Sequence, residues 1–268
     1  LVKPFLPAQL KSKLPVTKQH QSRPTSQHQR RMLVLEGCVQ PLTAPNTNAA
    51  AARVLDKLGI SLISAEKAGC CGAINQHMSD AKTAKQRMRN NIDAWWPHIE
   101  QGAEAIVITA SCCGAVVKDY AELLKHDEHY ADKASKVSEL AMDISEILAD
   151  ENLSAARTKQ AGVKVAFHSP CTLQHGQQIT GLVESILTRA GFTLTNVEDS
   201  HLCCGSAGTY SILQAKLSQQ LLSNKLTALQ SEQPDIIVTA NIGCQMHMAS
   251  KAEIPVKHWL ELLDQQMI

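Results

Sequence analysis

Nine cysteines stand in this 268-residue chain, at Cys38, Cys70, Cys71, Cys112, Cys113, Cys171, Cys203, Cys204 and Cys244. Thiolates bind metals and carry redox chemistry, and in a reducing compartment clustered cysteines serve those ends more often than they form structural disulfides. The spacing here repeats. Cys38 to Cys70 is 32 positions, and so is Cys171 to Cys203. Each second member opens a Cys-Cys-Gly triplet, Cys70-Cys71-Gly72 and Cys203-Cys204-Gly205, and Cys113 and Cys244 follow 43 and 41 positions after the triplets begin. Eight cysteines therefore form two sets of four. Cys112 has no counterpart, since Ile242 or Gly243 stands at its place in the second copy, and it reads as a small buried hydrophobe outside the sets.

The surroundings repeat with the cysteines. Leu55-Asp56-Lys57-Leu58-Gly59-Ile60 precedes the first triplet as Leu187-Thr188-Arg189-Ala190-Gly191-Phe192 precedes the second, and Ile106-Val107-Ile108-Thr109-Ala110 is echoed by Ile236-Ile237-Val238-Thr239-Ala240. A single duplication of this length gives two similar domains, not a solenoid. The expected division is a first cysteine-rich domain over 32–155 and a second over 160–268, preceded by a flexible basic linker over 1–31. That linker holds seven Lys or Arg and no acid. The chain's formal net charge is only +1, so the remainder is mildly acidic and presents no basic face for nucleic acid.

Each copy alternates short β-branched runs with helical patterns. The first copy reads as strands at 32–35, 61–64 and 105–109, with helices near 48–58, through Ala84, Met88, Ile92 and Trp95, and near 115–124. The second reads as strands at 163–167, 193–197 and 235–239, with helices near 174–190 and through Tyr210, Leu213, Leu217 and Leu221. A fourth strand is expected in each, near 137–142 and 254–257. This is an α/β pattern: two tandem similar domains, each a small parallel sheet flanked by helices. Every cysteine group then falls just after a strand. Ends of neighbouring parallel strands lie on one edge about 5 Å apart, and open α/β sheets bind ligands at that edge. Four thiols should meet there in each domain.

Four thiolates at one place repel one another unless a cation joins them, so a metal is the natural occupant. Iron-sulfur clusters and zinc both accept such a set. Zinc sites usually use Cys-x2-Cys knuckles, which neither copy has, and adjacent cysteines suit a multi-iron cluster. His168, His175, His201, His247 and His258 crowd the second copy, and His247, three residues after Cys244, is a candidate extra ligand. No glycine-rich phosphate loop and no catalytic carboxylate pair is present. No apolar run approaches the roughly 20 residues of a membrane-spanning helix, and no export signal is expected. A cytoplasmic protein is expected.

The Cys, Cys-Cys-Gly, Cys pattern resembles the cysteine-rich domains of the heterodisulfide reductases and their superfamily. Within it, Glu36-Gly37-Cys38-Val39-Gln40, Asn91-Ile92-Asp93-Ala94-Trp95-Trp96-Pro97, Cys171-Thr172-Leu173-Gln174-His175-Gly176-Gln177-Gln178, His201-Leu202-Cys203-Cys204-Gly205-Ser206-Ala207-Gly208-Thr209-Tyr210 and Ala240-Asn241-Ile242-Gly243-Cys244 are similar to the iron-sulfur subunits of glycolate oxidase (glycolate dehydrogenase). The resemblance covers about residues 32–264.

It implies an electron-transfer subunit of a complex that oxidises glycolate to glyoxylate. Partner flavin-binding subunits would hold FAD and remove hydride, and electrons would pass toward quinone through peripheral contact at the inner membrane. Cys38, Cys70, Cys71 and Cys113 would ligate one group, 4Fe-4S by expectation with zinc as the alternative, and Cys171, Cys203, Cys204 and Cys244 another. Complete subunits of this kind begin with a ferredoxin-like domain bearing two Cys-x2-Cys-x2-Cys-x3-Cys-Pro runs. Nothing before Cys38 is a cysteine and residue 1 is Leu, so the chain is expected to be the C-terminal part of a longer subunit. The Cys-x2-Cys ending of the heterodisulfide reductases is also missing, with Val116 and His247 at those places, which favours four thiolates over five. Two other readings stay open: a zinc-stabilised or metal-free module that only docks the flavoprotein, and a thiol-disulfide oxidoreductase. The second is disfavoured because adjacent cysteines form a strained ring.

Overall fold

The structure, a computed structural model, describes residues 21–153 and 162–267. The first 20 residues of the expected linker lie outside the described residues. Residues 21–29 run along the first domain, where Arg23 pairs with Glu36 at 2.7 Å and His28 with Asp56 at 2.8 Å.

The first half runs β1 (Arg30–Val34), α1 (Gln40–Thr43), α2 (Asn46–Lys57), β2 (Ile60–Ser64), α3 (Ala73–His77), α4 (Ala81–Glu100), β3 (Ile106–Ile108), α5 (Ser111–Lys118), α6 (Tyr120–Leu123), α7 (Ala131–Leu140), β4 (Ala141–Asp143) and α8 (Ile144–Asp150). The second runs β5 (Lys164–His168), a π-helical turn (Thr172–Gly176), α9 (Leu182–Arg189), β6 (Thr193–Leu194), α10 (Tyr210–Leu213), α11 (Ala215–Gln230), β7 (Ile236–Thr239), α12 (Ile242–Ala249), β8 (Val256–His258) and α13 (Trp259–Gln266).

The strands build two four-stranded sheets, ordered β2-β1-β3-β4 and β6-β5-β7-β8, with every pair parallel. Strands such as Ile106-Val107-Ile108 and Ile236-Ile237-Val238-Thr239 are buried throughout, as parallel strands covered on both faces must be. From β1 the chain crosses first to β2 on one side and later to β3 on the other. The strand order therefore reverses between β1 and β3, and likewise between β5 and β7, and crevices for ligands open at such places. Cys38 and Cys113 flank the first crevice, Cys171 and Cys244 the second.

The two copies share one core. Met32, Val54, Leu55, Val107, Ile147 and Leu148 of the first pack with Val165, Phe167, Val183, Leu187, Trp259 and Leu263 of the second. The run Ala49-Ala50-Ala51-Ala52 gives α2 a smooth face that lies against α13. Around that contact Arg53 grips both carboxylate oxygens of Asp264, and Lys57 donates to the Met267 carbonyl at 2.9 Å. Separate clusters fill the outer faces, built on Met88, Ile92 and Trp95 in the first copy and on Leu222, Leu226, Leu229 and Met248 in the second. Among the described residues no helix is long and apolar enough to cross a membrane.

Several expected elements differ from the observed ones: the helix expected near 115–124 starts at Ser111 and breaks at Asp119, and of the strand expected near 137–142 only Ala141–Asp143 is extended, residues up to Leu140 being helix. The stretch 174–190 divides into the π-helical turn and α9, because Gln178 and Gly181 take positive φ between them. The stripe Tyr210, Leu213, Leu217, Leu221 does not face the core: the chain breaks at Gln214, and Leu213 and Leu217 are 72% and 56% exposed. The buried face of α11 is Ser218, Leu222, Lys225, Leu226 and Leu229.

His258 links the copies and makes the junction acid-sensitive. It is fully buried, accepts from the Leu260 N–H through Nδ1 and donates through Nε2 to the Thr109 carbonyl at the end of β3, 2.8 Å away. Burial holds its pKa down at about 4, against an ordinary 6.5. Unfolding takes up a proton below pH 6.5, so its contribution to stability is complete above that pH and shrinks as pH falls toward 4. About 2 kcal/mol is lost by pH 5. In H258Q that part of the pH dependence is absent, so the stability gap between wild type and variant in urea unfolding narrows or inverts from pH 7.5 to pH 5. A constant gap contradicts the assignment.

Candidate metal centres

Each site begins with a loop that backbone chemistry fixes in place. At the first, the loop after β1 is anchored by Glu36. Burial alone would raise that carboxyl, but Arg23 and Asn48 outweigh it and keep the group charged. Gln40, just beyond Cys38, donates to Asn48 and Thr109. The Cys70-Cys71-Gly72 loop is held by Asn91 on α4, which accepts from the Gly69 N–H and donates to the Cys70 carbonyl and the Tyr120 hydroxyl; Tyr120 in turn donates to the Cys71 carbonyl at 2.8 Å. At the second site buried Lys225 replaces Asn91, and its ammonium donates to the carbonyls of Asp199 and Ser200 before the triplet.

Glycine ends each triplet because the geometry excludes a side chain. Gly72 and Gly205 have φ of +89° and +87°, and a β-carbon on Gly205 would stand 2.5 Å from the Ser218 carbonyl oxygen. Ser218 uses that closeness, donating its hydroxyl to the Gly205 carbonyl at 2.8 Å.

The thiols do meet. The Cys38 and Cys71 thiols act on Cys70, and the Cys113 thiol acts on Cys71. Likewise the Cys171 and Cys204 thiols act on Cys203, and the Cys244 thiol acts on Cys204. All nine cysteines are free. In each set one sulfur concentrates the negative charge. Cys70 is held down at about 2 by the Cys38 and Cys71 thiols and the Gly72 N–H, and Cys203 at about 2 by Cys171, Cys204 and the Gly205 N–H. The neighbours move the other way. At Cys71 the Cys113 thiol pulls down, but the Cys70 charge and burial prevail and hold it up at about 12; Cys38, Cys171 and Cys204 are also raised by the adjoining sulfur. Charge on one sulfur thus opposes charge on those beside it. More thiolates need a cation, which is the donor chemistry of an iron-sulfur cluster or zinc.

A cavity of about 80 Å³ opens beside the first set, lined by Cys38, Cys70, Cys71, Cys112, Cys113 and the second copy's Ile242 among others. That exceeds the space of a single water. Cys112, expected outside the sets, thus lines the first site as a fifth thiol, and contact with Cys113 lowers its pKa. Its neighbour Cys113 gave the signal, since two successive residues at a helix start can both face one crevice.

The second site differs. His168, the last residue of β5, is 2% exposed and a ring nitrogen of it lies with Cys204 and Cys244 sulfurs in a group whose members are all within 4.8 Å of one another. Burial holds its pKa down at about 3, so the ring is neutral. His247 turns elsewhere, its Nε2 lying 3.2 Å from the Ser218 hydroxyl. His175 reaches the His201 carbonyl.

The two sites adjoin across the domain junction. Asn241 accepts from the Cys112 N–H at 3.4 Å and donates to Cys244 Sγ at 3.4 Å, so one side chain touches both. Beside it the Ser111 and Thr172 hydroxyls pair at 2.8 Å, and Gln177 donates to the Ser111 carbonyl.

Comparison with known proteins agrees with this duplicated architecture. Over its whole length the chain is 55% identical to the glycolate oxidase iron-sulfur subunit of Escherichia coli (strain K12), covering 66% of that protein. It is 28% identical over 225 residues to the probable glycolate oxidase iron-sulfur subunit of Bacillus subtilis (strain 168), covering 82% of this chain and 49% of that one. Lactate utilization protein A of Anoxybacillus flavithermus (strain DSM 21510 / WK1) is 24% identical over 240 residues, 85% of this chain and 96% of that one. The chain thus spans just under two thirds and about half of the two glycolate oxidase relatives. Among solved structures, a hypothetical protein from Helicobacter pylori shares the fold with a TM-score of 0.64 at 10% identity, over 96% of this chain and 52% of that one. The cysteine-rich domain model matches twice, over residues 32–118 and 165–249. With both Cys-Cys-Gly loops at matched sheet edges, the chain belongs to the cysteine-rich CCG domain family and carries two copies of its domain.

Proposed function

We propose that the chain is the electron-relaying, iron-sulfur part of an oxidoreductase complex that converts glycolate to glyoxylate. The observation that carries this reading is the pair of four-thiol sets at neighbouring sheet edges, joined through Asn241. The substrate class is supported by 55% identity to a protein named a glycolate oxidase iron-sulfur subunit, far above the 24% to a lactate utilization protein. Cys38, Cys70, Cys71 and Cys113 would hold one group, with 4Fe-4S the proposed form, and Cys171, Cys203, Cys204 and Cys244 would hold the other. A bound cluster supplies one-electron exchange. The protein's own part is to keep sulfur donors fixed by the Asn91, Tyr120 and Lys225 contacts, to bury Cys71, Cys204 and Cys244 from water, and to place the sites side by side.

The hydride of glycolate leaves as an electron pair, so its acceptor must take two electrons and pass them on singly. FAD on partner subunits fits that need, with quinone as the final acceptor at the membrane surface. The test uses the assembled complex with the full-length subunit carrying C203S and C204S. The complex is expected to assemble and to reduce its flavin with glycolate, while glycolate-dependent reduction of a quinone analogue falls to background. Unchanged quinone reduction would make the chain a docking module instead. Lactate supporting turnover better than glycolate would overturn the substrate.

A further inference from the structure

The two sites are related by duplication yet differ in donors. The position of Leu35 in the first copy is taken by His168 in the second, each three residues before the first cysteine of its set. His168 Nδ1 lies 2.9 Å from the Thr239 hydroxyl on β7, and Thr239 is itself fully buried. With Nδ1–H donated to that oxygen, the lone pair stands on Nε2. That atom is buried and has no hydrogen-bond partner. Buried polar atoms nearly always have one, so this nitrogen is open to a ligand. The Thr239 contact is the arrangement that orients a metal-ligating histidine, one ring nitrogen hydrogen-bonded and the other directed at the ion.

The distances agree. A ring nitrogen of His168 and the sulfurs of Cys204 and Cys244 are mutually within 4.8 Å. Donors sharing one metal stand about 3.5–4 Å apart when its bonds are about 2.0–2.3 Å long, so side-chain adjustment of about an ångström suffices. Among the described residues the first set contains no such tight triplet; its thiols spread around the cavity that Leu35 helps to line.

We propose that His168 ligates the metal of the second site through Nε2, making that site a mixed imidazole–thiolate centre while the first is bound by thiolates alone. This rests on the reading that the second cysteine set holds a metal. Soft or borderline ions, iron or zinc, are the class that accepts both donors. Because imidazole is a neutral ligand, the two sites differ in charge and hence in the electronic character of what they bind.

Cobalt(II) is the probe, added anaerobically to the metal-free full chain and read by sulfur-to-cobalt charge-transfer absorption and by nitrogen hyperfine coupling in pulsed EPR. Wild type is expected to show both. H168A is expected to lose the nitrogen coupling and to bind the second equivalent about 10–100-fold more weakly, at least the cost of losing a group that merely supports a ligand. H168C, which offers a sulfur at the same place, is expected to recover the affinity without the coupling, and so separates ligand loss from misfolding. Charge-transfer bands with no nitrogen coupling in wild type, or coupling that persists in H168A and H168C, would overturn the histidine assignment while leaving the metal reading intact. Absence of any second equivalent of cobalt in wild type would instead overturn the metal reading beneath it.

Discussion

Changing Cys70 and Cys71 together to serine is expected to remove the metal of the first site and leave the second loaded, lowering the metal bound per chain by half. Cys70 is the sulfur on which the first set concentrates its charge, with Cys38 on one side and Cys71 on the other. Serine hydroxyls keep the shape but stay protonated near neutral pH and do not replace thiolates at soft metals. The backbone anchors remain, because Asn91 and Tyr120 bind the carbonyls of residues 70 and 71, not their side chains. The fold should survive, at a cost of about 1–3 kcal/mol for placing a hydroxyl where Cys71 is 3% exposed. Metal analysis and thermal unfolding read the two effects separately. Full metal retention in the variant would show that the first set is not a metal site.

The second large effect is steric. Gly205→Ala is expected to destabilise the protein by about 3 kcal/mol or more: an L-residue at positive φ costs about 1–2 kcal/mol, and the new β-carbon meets the Ser218 carbonyl at 2.5 Å and Leu221 Cβ at 3.0 Å. That carbonyl lies in α11, which cannot retreat without withdrawing Leu222 and Leu226 from the outer core. For a chain of this size the melting temperature should fall by roughly 6–12 °C. Gly72→Ala, with its nearest contact at 3.1 Å, should cost less, and Gly59→Ala, with φ of +74° and open space around it, only the backbone share. The order Gly205, Gly72, Gly59 is the check. Equal losses at all three would mean that the close approach of triplet and helix plays no part.

Much of this was legible in the cysteines. Their 32-residue repeat placed each group after a strand, and parallel strands bring such groups to one edge, so the meeting of Cys38 with Cys70 needed no knowledge of side-chain packing. Two strands were equally plain, because Ile106-Val107-Ile108 and Ile236-Ile237-Val238 admit few other readings, whereas most of the strand expected near 137–142 is helix α7, with β4 only at Ala141–Asp143. The face of α11 was not. Leu213 and Leu217 suggested an apolar stripe, but the helix is rotated by the demand that Ser218 meet Gly205, a contact between residues 13 apart that hydrophobic spacing cannot encode. His168 and Cys112 were hidden for a related reason. Alignment of the copies marks what they share, whereas these two residues matter where the copies differ; counting back from the cysteines pairs Leu35 with His168, but only the fold shows His168 buried against Cys204 and Cys244. The shared core of α2 with α13 was likewise invisible, since each domain's pattern is complete in itself.

The central claim is that each set of four cysteines holds a metal. Its most direct test is anaerobic purification of the chain followed by analysis of iron, acid-labile sulfide and zinc, with thiol titration before and after chelation. Metal is expected at both sites, with eight thiols that become titratable only when it is removed. A metal-free protein whose eight or nine thiols all titrate at once, under conditions that keep iron-sulfur clusters intact, would contradict the claim.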